Sequence, residues 1–287
     1  MTWAGLPLRI RGRGGRRAAL LLRSLEESQW WPPERLATEQ ARRLRRFLVH
    51  VGRHHPRVAE RFAAAGFQPQ LVTSVRALAR LPVAAPPGEG RGVGGGPDSR
   101  AWHRAVRWRV QGWWGLAPGE RPPVAEVEDL VAAPRPPRGA VVRGEALREA
   151  CGRGGDLGGA VPRLRVLFVP ALEVDPALRR EAERRLGVGV APYLELPWTG
   201  LLAHACPEGG LHLCSDHLVV EVAAPGGRGA PGGCGELLVT DTTARRAPVI
   251  RCRTGLWGRI AEGRCLCGRG LPRLLEVGPL EAEAEVA

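Results

Sequence analysis

The spacing of apolar residues divides the chain into a helical first part, an alternating middle and a strand-rich end. After Pro32 and Pro33, apolar residues recur at helical spacing, which predicts an amphipathic helix from about Glu34 to His50. The run HHPRVAERFAAAGFQPQLVTSVRALARLPV predicts two shorter helices after it. The apolar stripe of the first helix consists of Leu36, Ala41, Leu44, Phe47, Leu48 and Val51.

The middle of the chain alternates between helical and strand patterns. VRGEALREACGRG predicts a helix, LRVLFVP a buried strand, DPALRREAERRLG a second helix and VGVAPYLEL a second strand. Asp175 is a suitable N-cap for the second helix, and Gly187 a suitable stop. This order predicts a βαβ unit with parallel strands and a ligand cleft at their carboxyl ends.

The last part combines short strand patterns with candidate metal ligands. LHLC, HLVVEV, ELLVT and APVIRCR are separated by Gly and Pro turns, which predicts a meandering antiparallel sheet. Cys206 and His212 flank a Pro-Glu-Gly-Gly turn, and Cys265 and Cys267 flank one leucine. Tetrahedral zinc prefers such ligands, and a closed four-ligand site is structural; the alternative is reduced thiols without metal. Small core or surface residues are expected at Cys151, Cys214, Cys234 and Cys252.

Composition limits the possible classes of function. The net charge is +13 and all 42 basic residues are arginine, which with 39 Gly and 26 Pro is typical of a GC-rich genome. The arginines spread from Arg9 to Arg273, which disfavours nucleic-acid binding. No run approaches the roughly 18 apolar residues of a membrane span, and AALLL is too short for a secretory signal. The odd cysteine count of 7 favours a reducing, cytoplasmic location.

One long motif lies in the strand-rich end. GELLVTDTTARRAPVIRCRTGLWGRI followed by CLCGRGLPRLLEVG resembles the phenylacetate–CoA ligase branch of the adenylate-forming (AMP-binding) superfamily. Metal-binding members of that branch use the same Cys/His arrangement, which favours zinc at the four ligands. The matching positions are Gly235, Glu236, Val239, Thr240, Asp241, Pro248, Ile250, Arg251, Arg253, Thr254, Gly255, Cys265, Cys267, Gly268, Arg269, Leu271 and Pro272.

The resemblance implies an activity and a fold. The expected reaction activates a small carboxylic acid with ATP and magnesium as an acyl-adenylate and passes it to coenzyme A. Tyr193, Arg253 and Arg269 are the nucleotide-binding candidates on this basis. The expected fold is α/β, a shortened adenylate-forming N-terminal domain with a helical region, a βαβ core and a β-rich subdomain carrying a structural zinc knuckle.

Several family positions are altered in this sequence. GRGVGGGPDS lacks the threonines of the family's phosphate loop, and the 287 residues contain no lysine. YLELPWTG keeps Tyr193 but not the following Gly-x-Thr/Ser-Glu, so Glu195 or Thr199 would substitute only in a shifted loop. Leu256 stands where the family has the aspartate that holds the ribose hydroxyls, and a leucine accepts no hydrogen bond.

Three hypotheses remain open. The first is a shortened ligase, whose activity can be weak or lost. The second is a non-catalytic pseudo-ligase that binds a partner protein through a Trp/Arg surface, and the third is a basic zinc-dependent nucleic-acid binder.

Core packing or an aromatic acyl pocket are the alternatives for four tryptophans at helical spacing: Trp102, Trp108, Trp113 and Trp114.

The predicted organisation has six segments. They are a disordered Arg/Gly-rich N-terminus (1–33), a helical region (34–83), a Gly/Pro-rich linker (84–99), an α/β subdomain (100–200), a β-rich zinc-binding subdomain (201–278) and an acidic tail (279–287).

Overall fold

The computed structural model describes residues 13–88, 96–224, 233–261 and 263–280. Within these ranges, none of the helices has the length and apolar character that crossing a membrane requires. The helices are α1 (Arg13–Ser28), α2 (Pro33–His54), α3 (Pro56–Ala64), α4 (Pro97–Gly112), α5 (Val127–Ala132), α6 (Gly144–Arg153), α7 (Leu157–Ala160) and α8 (Pro176–Leu186). Short 3₁₀ turns lie at Pro69–Leu71, Val75–Arg80 and Ala171–Glu173.

Among the described residues, one sheet of nine strands forms the centre of the fold, in the order β1-β2-β3-β4-β5-β9-β8-β7-β6. The first three strands in this order pair in parallel, and all later neighbours pair antiparallel. The sequence pattern predicts the parallel β2–β3 pair and the antiparallel pairing at the strand-rich end, but not the third parallel strand, β1. The strands are β1 (Gly139–Val141), β2 (Val166–Pro170), β3 (Gly189–Leu196), β4 (Gly200–Ala205), β5 (Leu211–Leu213), β6 (Leu218–Ala223), β7 (Cys234–Asp241), β8 (Val249–Ala261) and β9 (Arg273–Pro279).

The βαβ unit β2–α8–β3 forms as predicted. The Asp175 carboxylate accepts hydrogen bonds from the N–H groups of Ala177 (2.7 Å) and Leu178 (2.8 Å), which caps α8. Gly187 ends the helix in the left-handed region, at φ 66°. These local signals explain why the bounds of α8 could be predicted.

Side chains of β2 alternate between two buried faces. Leu167 and Val169 pack in the cluster that α6 and α8 cover, whereas Val166 and Phe168 pack on the opposite side. A strand buried on both faces is typical of a parallel sheet between helical layers.

Helix α2 buries the predicted stripe, apart from half-buried Leu36. Its Phe47 and Val51 pack with Phe62 of α3 and with Val219 and Ile250 of the sheet. The helical region is thereby fixed to the antiparallel end of the sheet.

The prediction of a disordered segment over 1–33 is wrong for residues 13–28, which form α1. The run AALLL has apolar residues at helical spacing, and Ala18, Leu22 and Leu25 are buried in one core cluster with Ala101 and Ala105 of α4. The stabilisation comes from this burial against a distant helix, which composition does not reveal. Residues 1–12 lie outside the described residues.

The segment predicted as a linker over 84–99 ends earlier in the structure, because Pro97, Asp98 and Ser99 form the first turn of α4. Residues 89–95 of that segment, and 281–287 of the predicted acidic tail, lie outside the described residues. The boundary at 200/201 stays a prediction, and β3 pairs with β4 across it.

Candidate metal centre and ligand cavity

The four predicted metal ligands come together. Cys206 directly follows β4, His212 lies on β5, and Cys265 and Cys267 lie in the turn between β8 and β9. Their ligand atoms all lie within 4.8 Å of one another. Because β5 pairs with β9, the sheet brings the two distant pairs to one place.

The distances inside this cluster suit a tetrahedral metal ion. The Sγ atoms of Cys206 and Cys265 are 3.9 Å apart, and Sγ of Cys267 lies 3.3 Å from Nε2 of His212. Tetrahedral zinc with bonds of about 2.3 Å to sulfur places two sulfur atoms about 3.8 Å apart. The donor set and its spacing therefore fit zinc.

The orientation of His212 is fixed by a backbone group. Nδ1 of His212 lies 3.0 Å from the carbonyl oxygen of Leu271. An Nδ1–H that donates to this carbonyl leaves the lone pair of Nε2 directed at the cysteines, the arrangement common among metal-bound histidines.

Burial makes charge in this cluster costly without a cation. Burial, followed by the neighbouring Cys267 and Cys265, raises the pKa of the Cys206 thiol to about 12. Burial lowers the pKa of His212 to about 4. Burial also opposes ionisation of Cys267, but hydrogen bonds from Arg269 hold the pKa of that thiol below its usual value. A bound cation would offset the cost of the thiolates.

A separate cavity of about 820 Å³ opens beside the parallel strands. Val141 of β1, Phe168 of β2 and Tyr193 of β3 line it, towards the carboxyl ends of these strands. This is the place where open α/β sheets bind ligands, as the βαβ pattern predicts. The rest of its wall includes Trp108 and Gln111 of α4, and Leu201 and His204 of β4.

The cavity wall carries more arginines than acids. Arg100, Arg104, Arg107 and Arg121 line it, against Glu120 and Glu195. Arg107 bonds to Glu195 at 2.5 Å, and Glu120 lies 3.4 Å from Arg138. The cavity is therefore suited to an anionic ligand.

A buried cluster lies behind this wall. Nε2 of His103, itself a lining residue, is 3.6 Å from Oδ2 of Asp241. Oδ1 of Asp241 accepts hydrogen bonds from the N–H and hydroxyl of Thr243. The ring of His217 meets that of His103 edge-on at 4.9 Å, and burial lowers the pKa of His217 to about 3.

The structure brings only one nucleotide-binding candidate into the cavity. Tyr193 lines it, whereas Arg253 pairs with Glu236 at 2.6 Å elsewhere on the sheet. Arg269 lies over the rings of Trp113 (4.3 Å) and Trp30 (4.8 Å), next to the metal cluster. Among the described residues, the cavity lining does not include either arginine.

The structure shows the surroundings of the positions at which this sequence departs from the family pattern. Leu256 is 6% exposed and packs in the main core. Thr199 is fully buried, with its hydroxyl near the carbonyl of Gly200, and Glu195 is bound to Arg107. The glycine run over 89–95 lies outside the described residues.

Sequence reasoning missed the polar side of α4. Arg100, His103, Arg104 and Arg107 recur at helical spacing and share one face, a pattern that a solvated helix face rich in arginine also shows. Trp108 is 7% exposed in the core and also lines the cavity, so core packing holds for this residue, while an aromatic acyl pocket stays a prediction.

Comparison with solved structures identifies the fold. 2-Hydroxyisobutyryl-CoA ligase in the postadenylation state with R3-HIB-AMP matches with a TM-score of 0.69 at 18% identity, over 88% of this chain and 69% of that one. The same ligase with 2-HIB-AMP and CoA in the thioesterification state matches with a TM-score of 0.67 at 19% identity, over 89% and 70% of the two chains. No family model and no curated protein matches the sequence.

The chain therefore has the fold of the adenylate-forming enzymes. The matched structures are those of an acid–CoA ligase, of which this chain spans about 70%. The expected α/β architecture is confirmed.

Proposed function

We propose that this chain is an adenylate-forming acid–CoA ligase of the phenylacetate–CoA ligase-like branch. It activates a small carboxylic acid with ATP as an acyl-adenylate and transfers the acyl group to coenzyme A, in the cytoplasm. The observation that carries the proposal is the cavity at the carboxyl ends of β1–β3, in a fold shared with a ligase solved with 2-HIB-AMP and CoA.

The residues of the cavity suit both ends of such a substrate. Phe168, Trp108 and Val141 form an apolar wall for the hydrocarbon part of the acid. By the resemblance of its strand to the family, Tyr193 would place its aromatic ring against adenine. The arginines of α4 supply the positive charge that stabilises the phosphate in a partly dehydrated site.

The two implied metals differ in how well they fit. Cys206, His212, Cys265 and Cys267 would hold zinc, which would join the β4–β5 hairpin to the β8–β9 turn as a structural cross-link. Magnesium finds no unpaired carboxylate among the described residues of the cavity, because Glu120 and Glu195 are bound to arginines. Magnesium is therefore assigned no residue here.

The test is the release of pyrophosphate by purified, zinc-loaded protein with ATP, magnesium and a panel of acids. At least one acid should give acid-dependent release, and Tyr193→Leu should raise the KM for ATP. Leu71→Ala, at an exposed position outside the cavity, is the matched control and should change neither kcat nor KM. Folded protein that releases no pyrophosphate with any acid would disprove the proposal.

One observation favours a non-catalytic pseudo-ligase that acts as a protein-binding partner. Leu256 is buried in the core where a ligase of this family has its ribose-binding aspartate. Calorimetric titration with ATP and magnesium separates the two functions. Micromolar binding supports the ligase, and absence of binding by folded protein supports the pseudo-ligase.

A further inference from the structure

We propose that the polar face of α4, formed by Arg100, His103, Arg104 and Arg107, together with Arg121, binds the di- or triphosphate group of the ligand. This inference rests on the proposed function and names the residues that neutralise the phosphates. We call these five residues the arginine face.

The arginine face is built by helical geometry. Its four α4 members are three, four and seven positions apart, so their side chains project from the same side of the helix. The opposite side of α4 is fixed, since Ala101, Ala105 and Val106 are buried against α1 and the sheet. All members of the arginine face line the 820 Å³ cavity.

Three of its cations have no acidic partner in the described part of the chain. No ion pair joins Arg100, Arg104 or Arg121 to an acid there, and Arg107 bonds to Glu195. Like charges four positions apart on a helix repel each other. An anion between them would remove this repulsion, and a polyanion matches their number better than a single carboxylate.

Polar atoms deeper in the same wall also lack partners. Gln111 is 7% exposed and lines the cavity, yet its Oε1 has no hydrogen-bond partner among the described residues. Nδ1 of His103 also has no hydrogen-bond partner there, whereas its Nε2 faces the Asp241 carboxylate at 3.6 Å. Buried polar groups are nearly always hydrogen-bonded, and a ligand in the cavity would supply partners for these atoms.

The chemistry of the side chains favours phosphate. Guanidinium groups present forked donors that match phosphate oxygens in pairs. The carboxylates of the cavity, Glu195 and Glu120, are already paired with arginines, so neither is free to hold a metal ion. The positive charge that neutralises a bound phosphate therefore comes from the arginines themselves. ATP and coenzyme A both carry a diphosphate group, and the same arginine face would bind either.

The experiment measures binding of inorganic pyrophosphate to the full chain by calorimetry. We expect Arg100→Gln/Arg104→Gln to weaken binding about tenfold or more, since the bonds lost are charge-assisted. Arg45→Gln/Arg53→Gln is the matched control, because both residues are exposed on α2 and the loss of charge is equal. The control should stay within about twofold of the unaltered chain, as both arginines are exposed outside the cavity lining and salt screens exposed charges.

The outcomes are distinct from those of the proposed function. Pyrophosphate binding that only the α4 variant loses supports the inference, even if no acid is ever adenylated. No binding by the unaltered chain, or an equal loss in the control, overturns it. Acid-dependent pyrophosphate release that the α4 variant retains in full also overturns it, while leaving the ligase in place. In a competition experiment, displacement of bound pyrophosphate by ATP, by coenzyme A or by both supports the inference and identifies which ligand supplies the diphosphate group. If neither displaces pyrophosphate, the inference is overturned.

Discussion

Arg109 of α4 and Asp216, just before β6, form an ion pair of 2.7 Å whose side chains are only 1% and 3% exposed. Although burial opposes ionisation, Arg109 holds the pKa of Asp216 below its usual value. The pair joins the helix that carries the arginine face to the antiparallel part of the sheet. It therefore supports the position of the cavity wall.

Asp216→Ala should destabilise the protein strongly, because it leaves the buried charge of Arg109 unpaired. We expect the free energy of unfolding to fall by about 3–5 kcal/mol, measured by urea denaturation. Glu276→Ala is the control, since it breaks an exposed pair with Arg259 and should cost about 0–1 kcal/mol. Similar losses in the two variants would show that the buried pair is not a stabilising contact.

How much of the fold could be predicted depended on whether the signal was local. The bounds of α8 follow from Asp175 and Gly187, which act within one turn of the helix ends. Helix α1 lacked such a signal, since its stability depends on contacts with Ala101 and Ala105, more than seventy positions away. Composition alone made the same residues look disordered.

The candidate site also has one part that could be predicted from local sequence signals and one part that could not. Cys206, His212, Cys265 and Cys267 could be predicted because metal-ligand chemistry and short spacings are visible in a sequence. The arginine face was missed because arginine is common throughout this chain, so four arginines beside a cavity do not differ in sequence from solvated ones. Only the packing of α4 against the sheet shows which arginines share a cavity.

Acid should destabilise the protein through His217. Its pKa is about 3 in the folded chain, against 6.5 for an ordinary histidine, so between these values the unfolded chain binds a proton that the folded chain does not. The stabilising contribution of this group is fully present well above pH 6.5 and is lost progressively as the pH falls through that value. For His217 alone, the loss at pH 5 is about 2 kcal/mol.

His217→Gln should remove this part of the acid sensitivity. The charged groups that face His217 are His103, Asp241, Asp216 and Arg109, and all of them remain in the variant. Urea denaturation at pH 7.5 and pH 5 should show a smaller difference than in the unaltered chain. His54→Gln, exposed on α2, should keep the original difference. Identical pH dependence in His217→Gln would show that this group does not titrate on unfolding.

Cys265→Ser should reduce the zinc content well below the one ion per chain expected for a four-ligand site, and should unfold the sheet around the β8–β9 turn. Metal content is measured by elemental analysis of purified protein, and folding by circular dichroism. Cys234→Ser is the matched control, since Cys234 is a free, exposed cysteine outside the cluster. Unchanged zinc in Cys265→Ser would show that the ligand assignment is wrong.

Gly210→Ala tests the geometry of the metal centre without removing a ligand. A Cβ at this position would lie 2.7 Å from Sγ of Cys265, so it would displace that ligand, whereas its 3.4 Å distance to Nε2 of His212 is an ordinary contact. The affinity for zinc should fall about 10–100-fold, as for other changes to the surroundings of metal ligands. The measurement is competition with a chromogenic chelator. Gly152→Ala, which meets no atom within 4 Å, should keep the original affinity, and equal affinity in both variants would contradict the proposed ligand positions.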